Sequence, residues 1–465
     1  MKKWTFEANA GGDSIGGSSY VHNGNIQVDH GAIQSEKRIK YPEMTRGDIE
    51  LFLLSHDHLD HCGGVPVFLR EHPESKVMMT KTSFEGMNFL LKDSVKIAES
   101  RAEIDLLQGR KPEPPLFSLR EVESLVDRVD FIGDTSWFSP IAGHKISFRS
   151  AGHKPGAAMF LMVFPDGTRV LHACDVSVDE RALVRGAGIP QDFLNPDVMV
   201  VESTYGNREL PDRAKEKARL KEVIRKVFAR GGKAVIPHFA STLIEEALPL
   251  AEAGFPVHVD GMGRDFTHLY ANSAPWCEQD KPFKLSDFGS LFLVDGGCKE
   301  EDRFYRRDLV RQPEPVVIVS SSGMLEAGPS VGYVEELLED SKNAVILPGY
   351  QAKDTQGRKL TQLQKGEKIT FFHQYVKKVE GQQPELKEYE VTRQINADVI
   401  PFKLSGHSGG DKMAKWICRI NPKKVVTVHG EPEAHEGLKE RTQRLKKDIE
   451  FFTAKNGETL EFVFV

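Results

Sequence analysis

The chain alternates short, wholly apolar runs with longer stretches of helical periodicity. Leu51-Phe52-Leu53-Leu54 has no polar interruption and reads as a buried strand. Apolar runs at 145–150, 158–164, 169–173, 197–202, 233–237, 256–259, 315–319, 343–347 and 424–428 read the same way. Pro165-Asp166-Gly167 marks a turn between two of them. Residues 211–230 place charged side chains at helical spacing and stop at Gly231-Gly232, and 241–253 stops at Gly254. Strands that alternate with helices predict an α/β fold. The rhythm from 207 to 365 is complete in itself. It is therefore read as an inserted α/β domain, between an N-terminal block (1–206) and a C-terminal block (366–465) that together form a first domain.

Composition narrows the choices. With 465 residues, 39% hydrophobic and 28% charged, the chain is an ordinary globular one, large enough for a core without disulfides. No apolar run approaches the ~18 residues of a membrane span, so no membrane partner is expected. Met1-Lys2-Lys3-Trp4 leads into polar and Gly-rich residues rather than a signal peptide, and the expected location is cytoplasmic. The 62 basic and 68 acidic residues give a net charge of −6, so any polyanion would need a local groove. Cys62, Cys174, Cys277, Cys298 and Cys418 form no CxxC pair, which argues against a disulfide framework or a Cys-rich zinc module.

The strongest chemical signal is His56-x-His58-x-Asp60-His61. Four candidate ligands fall within six residues, directly after a buried strand. Strand ends in α/β folds face a crevice, and imidazole with carboxylate suits zinc or a neighbouring transition metal. Packing offers no reason for such a cluster. His153 in a Gly-flanked loop, and Asp175 and His429 after strands, are the candidates for further ligands. Scattered histidines such as His72, His144, His172, His258, His268, His373 and His435 are read as structural, as is His238. Ser320-Ser321-Ser322-Gly323-Met324 follows a strand and reads as either a phosphate-binding turn or a plain capped turn.

These segments resemble the metallo-β-lactamase superfamily. His56-x-His58-x-Asp60-His61 matches its signature, Asp29 in Ile26-Gln27-Val28-Asp29-His30-Gly31 its first motif, and His153 and Asp175 its third and fourth. Val201-Glu202-Ser203-Thr204-Tyr205-Gly206, Ser405-Gly406-His407-Ser408 and Val428-His429-Gly430-Glu431 resemble motifs A, B and C of the β-CASP nucleases. Ser320–Met324 and Gly349-Tyr350-Gln351-Ala352 also resemble segments of that group. The pattern is similar to short prokaryotic β-CASP ribonucleases and to the nuclease subunit of the cleavage and polyadenylation specificity factor.

The resemblance implies an αββα metallo-β-lactamase sandwich carrying an inserted β-CASP domain. It implies two divalent ions per chain, zinc foremost with manganese as the alternative. His56, His58 and His153 would hold one; Asp60, His61 and His429 the other; Asp175 would bridge them. A two-metal hydroxide mechanism would hydrolyse RNA phosphodiester bonds, with His407 protonating the leaving oxygen, oriented by Glu202. Asp60 is thus both ligand and part of the catalytic set, while Asp29 braces the ligand loop. Ser320, Ser321, Ser322 and Gly323 would hold RNA phosphate. Single-stranded RNA is the expected partner, and relatives of this kind often form homodimers. Endonucleolytic action is favoured over a 5′-exonuclease of RNase J type. His429 favours RNA over DNA, because DNA-directed relatives commonly carry an apolar residue there. A small-molecule hydrolase would have no use for Glu202, His407 and the insert, and a non-catalytic subunit would be expected to lack ligands. Departures from the family pattern are Ser241-Thr242-Leu243 in place of Gly-Arg, Gly64 in place of Arg, and Cys174 in place of Gly.

Overall fold

The computed structural model describes residues 2–33, 39–133, 137–278, 280–294, 299–379 and 381–464; Cys298 lies outside them. The first sheet takes β1 (Lys2–Ala10), β2 (Ser19–His22), β3 (Ile26–His30), β4 (Leu51–Leu53), β5 (Lys76–Thr80) and β6 (Val129–Ile132) from the N-terminal block. The second takes β7 (Trp137–Phe138), β8 (Lys145–Ser150), β9 (Ala158–Val163), β10 (Arg169–His172) and β11 (Val198–Glu202). The inserted segment supplies β12 (Ala234–Pro237), β13 (Val257–Asp260), β14 (Leu291–Leu293), β15 (Val317–Ser320), β16 (Ala344–Leu347), β17 (Lys368–Lys377), β18 (Glu385–Gln394) and β19 (Asp398–Pro401). The chain then returns with β20 (Lys424–Val428), β21 (Glu450–Thr453) and β22 (Thr459–Phe464).

Among the described residues, the first sheet runs β22-β1-β2-β3-β4-β5-β6 and the second β21-β20-β11-β10-β9-β8-β7. The two stack face to face. Trp4, Phe6, Tyr20, Ile26 and Val28 of one pack with Phe148, Phe160, Met162, Val170, Val198 and Val426 of the other. The outer faces are covered by helices, Lys81–Leu107 on one side and Gly410–Ile420 with Pro432–Leu445 on the other. This is the expected αββα sandwich, closed by strands from both ends of the chain. A continuous apolar run such as Val198-Met199-Val200-Val201 is what such a layer needs, since both faces of the strand are buried.

The insert is a parallel sheet in the order β14-β13-β15-β12-β16-β19. It includes β19, so by sheet membership the insert continues past residue 365, where the sequence pattern placed its end. The cause is the β17–β18 ribbon, a two-stranded excursion that carries the chain away and back to pair Ala344–Leu347 with Asp398–Pro401. The strands that matter most for chemistry are β3 and β4, parallel to each other, and β10, β11 and β20, likewise parallel. Each group therefore ends at a single rim, which is where ligands bind in such sheets.

Candidate metal centre

Every ligand-type residue named from the sequence comes to that rim. The loop after β4 brings His56, His58, Asp60 and His61; the β8–β9 connection brings His153; the segments after β10 and β20 bring Asp175 and His429. Ligand-type atoms of His56, His58, His153 and Asp175 all lie within 4.8 Å of one another, and so do those of Asp60, His61 and His429. Asp175 links the groups. Its Oδ2 stands 3.4 Å from His61 Nε2, 3.7 Å from His56 Nε2 and 3.9 Å from both His153 Nε2 and His407 Nε2. Its Oδ1 stands 3.6 Å from His429 Nδ1.

His56, His61 and His153 are aimed by the nitrogen that faces away from the centre. Ser55 Oγ donates to Asp29 Oδ2 at 2.7 Å and so is free to accept from His56 Nδ1–H at 3.0 Å. His61 Nδ1–H donates to Asp29 Oδ2 at 2.8 Å, and His153 Nδ1–H to the Gly406 carbonyl at 2.9 Å. His429 Nδ1 lies 3.2 Å from Thr204 Oγ1. Asp29 also accepts the Ser55 N–H at 2.7 Å. Such outward bonds fix tautomer and ring direction for metal binding.

The backbone is held in uncommon conformations around these contacts. Asp29, Cys174 and His429 have φ of 58°, 55° and 50°, a region that side chains other than Gly seldom adopt. At Gly31 a Cβ would stand 1.8 Å from the Asp60 carbonyl, so only glycine permits the approach of the β3 end to the ligand loop.

The donor set fits divalent cations. Five imidazoles and two carboxylates converge, and Asp175 Oδ1 is buried with no hydrogen-bond partner among the described residues. His56 Nε2 faces His58 Nδ1 at 3.0 Å, and His153 Nε2 faces the same atom at 3.2 Å. Burial, reinforced by the neighbouring imidazoles and, at His58, by Lys154, holds His56, His58 and His153 neutral and so ready to bind. Burial also opposes charge on His61 and His429, but Asp175 and Asp60 outweigh it and raise both above the ordinary range. The same negative potential that draws protons there would draw cations.

His407 stands beside the cluster without joining either group. Its Nδ1 lies 2.7 Å from Glu202 Oε1, and its side chain remains 17% exposed where Glu202 is buried. Glu202 is pinned by the Val176 and Thr204 N–H groups at 3.1 and 3.2 Å. Burial lowers the His407 pKa, but Glu202 and Asp175 more than compensate and raise it to about 9.

Ser320, Ser321, Ser322 and Gly323 lie apart from this centre, in a turn at the carboxyl end of β15 next to His238-Phe239. Ser322 Oγ accepts the Glu326 N–H at 3.2 Å and Ser320 Oγ donates to the Ser321 carbonyl at 3.4 Å, so two of the three hydroxyls serve the turn itself. No hydrogen bond or ion pair joins the turn to the His/Asp cluster among the described residues. A cavity of about 1230 Å³ opens elsewhere, between helix Lys81–Leu107 and the insert. Its Arg306 and Arg264 are paired with Asp260 and Asp302.

Sequence reasoning missed four charges near the centre, three of them buried. Lys154 Nζ lies 2.5 Å from Asp57 Oδ1, and both are buried. Arg181, buried, and Arg213, half-buried, lie beside the loops of His153 and His407. In one dimension an Asp inside a ligand motif, a Lys next to a ligand and two arginines in polar stretches look like solvated surface. Only the small, uncharged run after Lys154, Pro155-Gly156-Ala157-Ala158, hinted otherwise.

Family models match along most of the chain: a metallo-β-lactamase superfamily model over residues 28–221, a Beta-Casp domain over 241–360, and a Zn-dependent metallo-hydrolase RNA specificity domain over 392–452. The chain belongs to the β-CASP branch of the metallo-β-lactamase superfamily. Among relatives of this β-CASP protein, the probable RNase MJ4 of Methanocaldococcus jannaschii is 27% identical over 440 residues, covering 94% of each chain. Cleavage and polyadenylation specificity factor subunit 3-I of Arabidopsis thaliana is 25% identical over 452 residues. That alignment covers 91% of this chain and 58% of the plant protein. In structure, a protein of unknown function from Enterococcus faecalis V583 matches with a TM-score of 0.60 at 12% identity, over 99% of this chain and all of that one, and so shares the fold. A Zn-dependent family model and the His/Asp cluster together support divalent metal use.

Proposed function

We propose that this β-CASP protein is a metal-dependent ribonuclease that hydrolyses RNA phosphodiester bonds by an endonucleolytic route. The relative named as an RNase over nearly its full length and the match to an RNA specificity domain support RNA as substrate. His56, His58 and His153 would hold one ion, Asp60, His61 and His429 a second, and Asp175 both. Zinc suits this mixture of imidazole and carboxylate, with manganese as the alternative. Two such ions polarise the phosphodiester and make an attacking water acidic enough to act near neutral pH.

The chain's own groups supply the rest. His407 is the proton donor to the departing oxygen. Its Nδ1 is occupied by Glu202, which leaves Nε2 directed at the centre beside Asp175, and its partial exposure leaves room for a substrate. Glu202 fixes the ring and favours its protonated form before transfer. Asp29 holds His61 and, through Ser55, His56. The carrying observation is the convergence of six ligand-type side chains and a carboxylate-oriented histidine around Asp175. In the turn after β15, where Ser320 Oγ donates within the turn, the O–H groups of Ser321 and Ser322 and the backbone at Gly323 would meet a phosphate. A homodimer in the cytoplasm is the setting we propose.

The test is a long RNA labelled at each end in turn, incubated with the zinc or manganese protein. Internal fragments from both labels are expected. Mononucleotides alone would replace the endonucleolytic reading with 5′-exonuclease action, and cleavage of DNA but not RNA would overturn the substrate.

A further inference from the structure

Two consecutive glutamates open the first turn of helix Ile244–Glu252 in the insert, and both are buried. Buried carboxylates need partners, and two adjacent ones need two. Arg181, from the segment after Asp175, is itself buried and places Nε 3.6 Å from Glu245 Oε1. The other Glu245 oxygen accepts the Ala182 N–H at 2.6 Å. Arg213, the first residue of helix Arg213–Ala229, donates to Glu246 Oε1 at 2.9 Å. The other Glu246 oxygen lies 3.1 Å from His238 Nε2.

Neither arginine ends at its glutamate. Arg181 donates to the His153 carbonyl at 2.7 Å, and Arg213 donates to the Ser405 carbonyl at 2.7 Å. Those carbonyls belong to the loops that carry His153 and His407. Ser405 Oγ in turn accepts the His407 N–H at 3.1 Å, so the Arg213 contact reaches the backbone of His407 within one turn of chain. The Gly406 carbonyl accepts from His153 Nδ1–H, which ties the loops together. Arg181 also packs so closely under this turn that a Cβ on Gly406 would stand 2.8 Å from its guanidinium.

We infer that Glu245 and Glu246 are positioning residues. Through Arg181 and Arg213 they set the placement of His153 and His407, so the seat of the insert on the first domain fixes both the ligand side and the leaving-group side of the centre. This rests on the hydrolytic reading proposed above. None of the four residues touches substrate; they act through backbone carbonyls. Misplacing a reacting group by ~1 Å can cost ~10²-fold in rate, so the arrangement has leverage on catalysis.

The test uses the full chain loaded with zinc and an RNA with one cleavable linkage, made with either oxygen or sulfur at the departing position. A departing thiolate needs no proton donor, so a fault in His407 slows only the oxygen linkage. His407→Ala is the reference. Glu246→Gln and Arg213→Lys should slow the oxygen linkage roughly 10–100-fold, leave the sulfur linkage near the wild-type rate, and leave zinc affinity unchanged. Glu245→Gln should slow both linkages and weaken the binding of one ion by roughly 10-fold, read by competition with a chromophoric chelator. A purely structural role would slow both linkages alike for Glu246→Gln. That result, or an unchanged oxygen linkage, overturns the inference. Failure of the wild type to cleave either RNA, or a His407→Ala variant without oxygen selectivity, would instead remove the hydrolytic reading beneath it.

Discussion

Replacing Lys154 with methionine removes the positive end of an enclosed ion pair while keeping most of the side-chain volume. Lys154 is 0% exposed and Asp57 1%, with Nζ 2.5 Å from Oδ1. The other oxygen of Asp57 has no hydrogen-bond partner among the described residues, and a Cβ on Gly86 would stand 1.9 Å from it. The lysine also lies 5.3 Å from the ring centroid of Phe266, which comes from the insert. Without Lys154, Asp57 must stay ionised and unpartnered or take up a proton. Breaking a buried pair costs about 3–5 kcal/mol. Protonation sets a ceiling: holding a carboxyl of ordinary pKa 3.8 neutral at pH 7 costs about 1.36 × 3.2 ≈ 4.4 kcal/mol. The expected loss at pH 7 is therefore about 3–4 kcal/mol. Burial already pushes the Asp57 carboxyl up, against the pull of Lys154, and removing the lysine pushes it further. The folded variant then binds a proton more tightly than the unfolded chain. Its deficit is smallest below pH 3.8 and grows as pH rises, by up to about 1.4 kcal/mol per unit. Urea midpoints of wild type and variant at pH 5, 6 and 7, at one zinc concentration, measure this. A deficit within about 1 kcal/mol of zero at pH 7, or one that does not shrink toward pH 5, would refute the reasoning.

Other expectations follow from the centre itself. His407→Ala should keep its metal and slow RNA cleavage by roughly 10²–10⁴-fold; an unchanged rate would exclude the proton-donor role. Asp175→Ala should lose activity and bind at least one ion more weakly, read by equilibrium dialysis; full occupancy would exclude bridging. Burial raises the Glu246 carboxyl, but His238 and Arg213 outweigh it and hold it at about 2, below the ordinary 4.5. Its contribution is thus complete above pH 4.5 and lost as pH falls toward 2, worth up to about 3 kcal/mol, and Glu246→Gln should flatten acid unfolding in that window. Identical acid-unfolding curves would contradict this.

The strands that carry the centre were legible because they are short, apolar and fully buried. Leu51-Phe52-Leu53 and Lys424–Val428 lead straight to His56 and His429, so strand and ligand were read together. The β17–β18 ribbon was not legible. Ile369 and Phe371 are buried in alternation at its start, but the exposed Phe372, Tyr375 and Tyr389 blur that pattern along the rest of the ribbon. The turn at Ser320–Gly323 could be seen but not what its hydroxyls bind, because a capped turn and a phosphate cradle share composition. Cys174 stands where the family pattern has glycine, and its φ of 55° keeps the glycine-like conformation under a different side chain. Gly64 is explained by space, since a Cβ there would stand 2.6 Å from the His30 ring. The buried charges Asp57, Lys154 and Arg181 and the half-buried Arg213 were illegible for a common reason: each meets segments distant in sequence.

The central claim is that seven side chains from four separate segments hold a pair of divalent cations. It is tested most directly by crystals of the zinc-loaded protein measured at the zinc absorption edge. The account predicts two anomalous peaks, one bounded by His56, His58 and His153, the other by Asp60, His61 and His429, with Asp175 reaching both. A single peak, or peaks away from these residues, would contradict it.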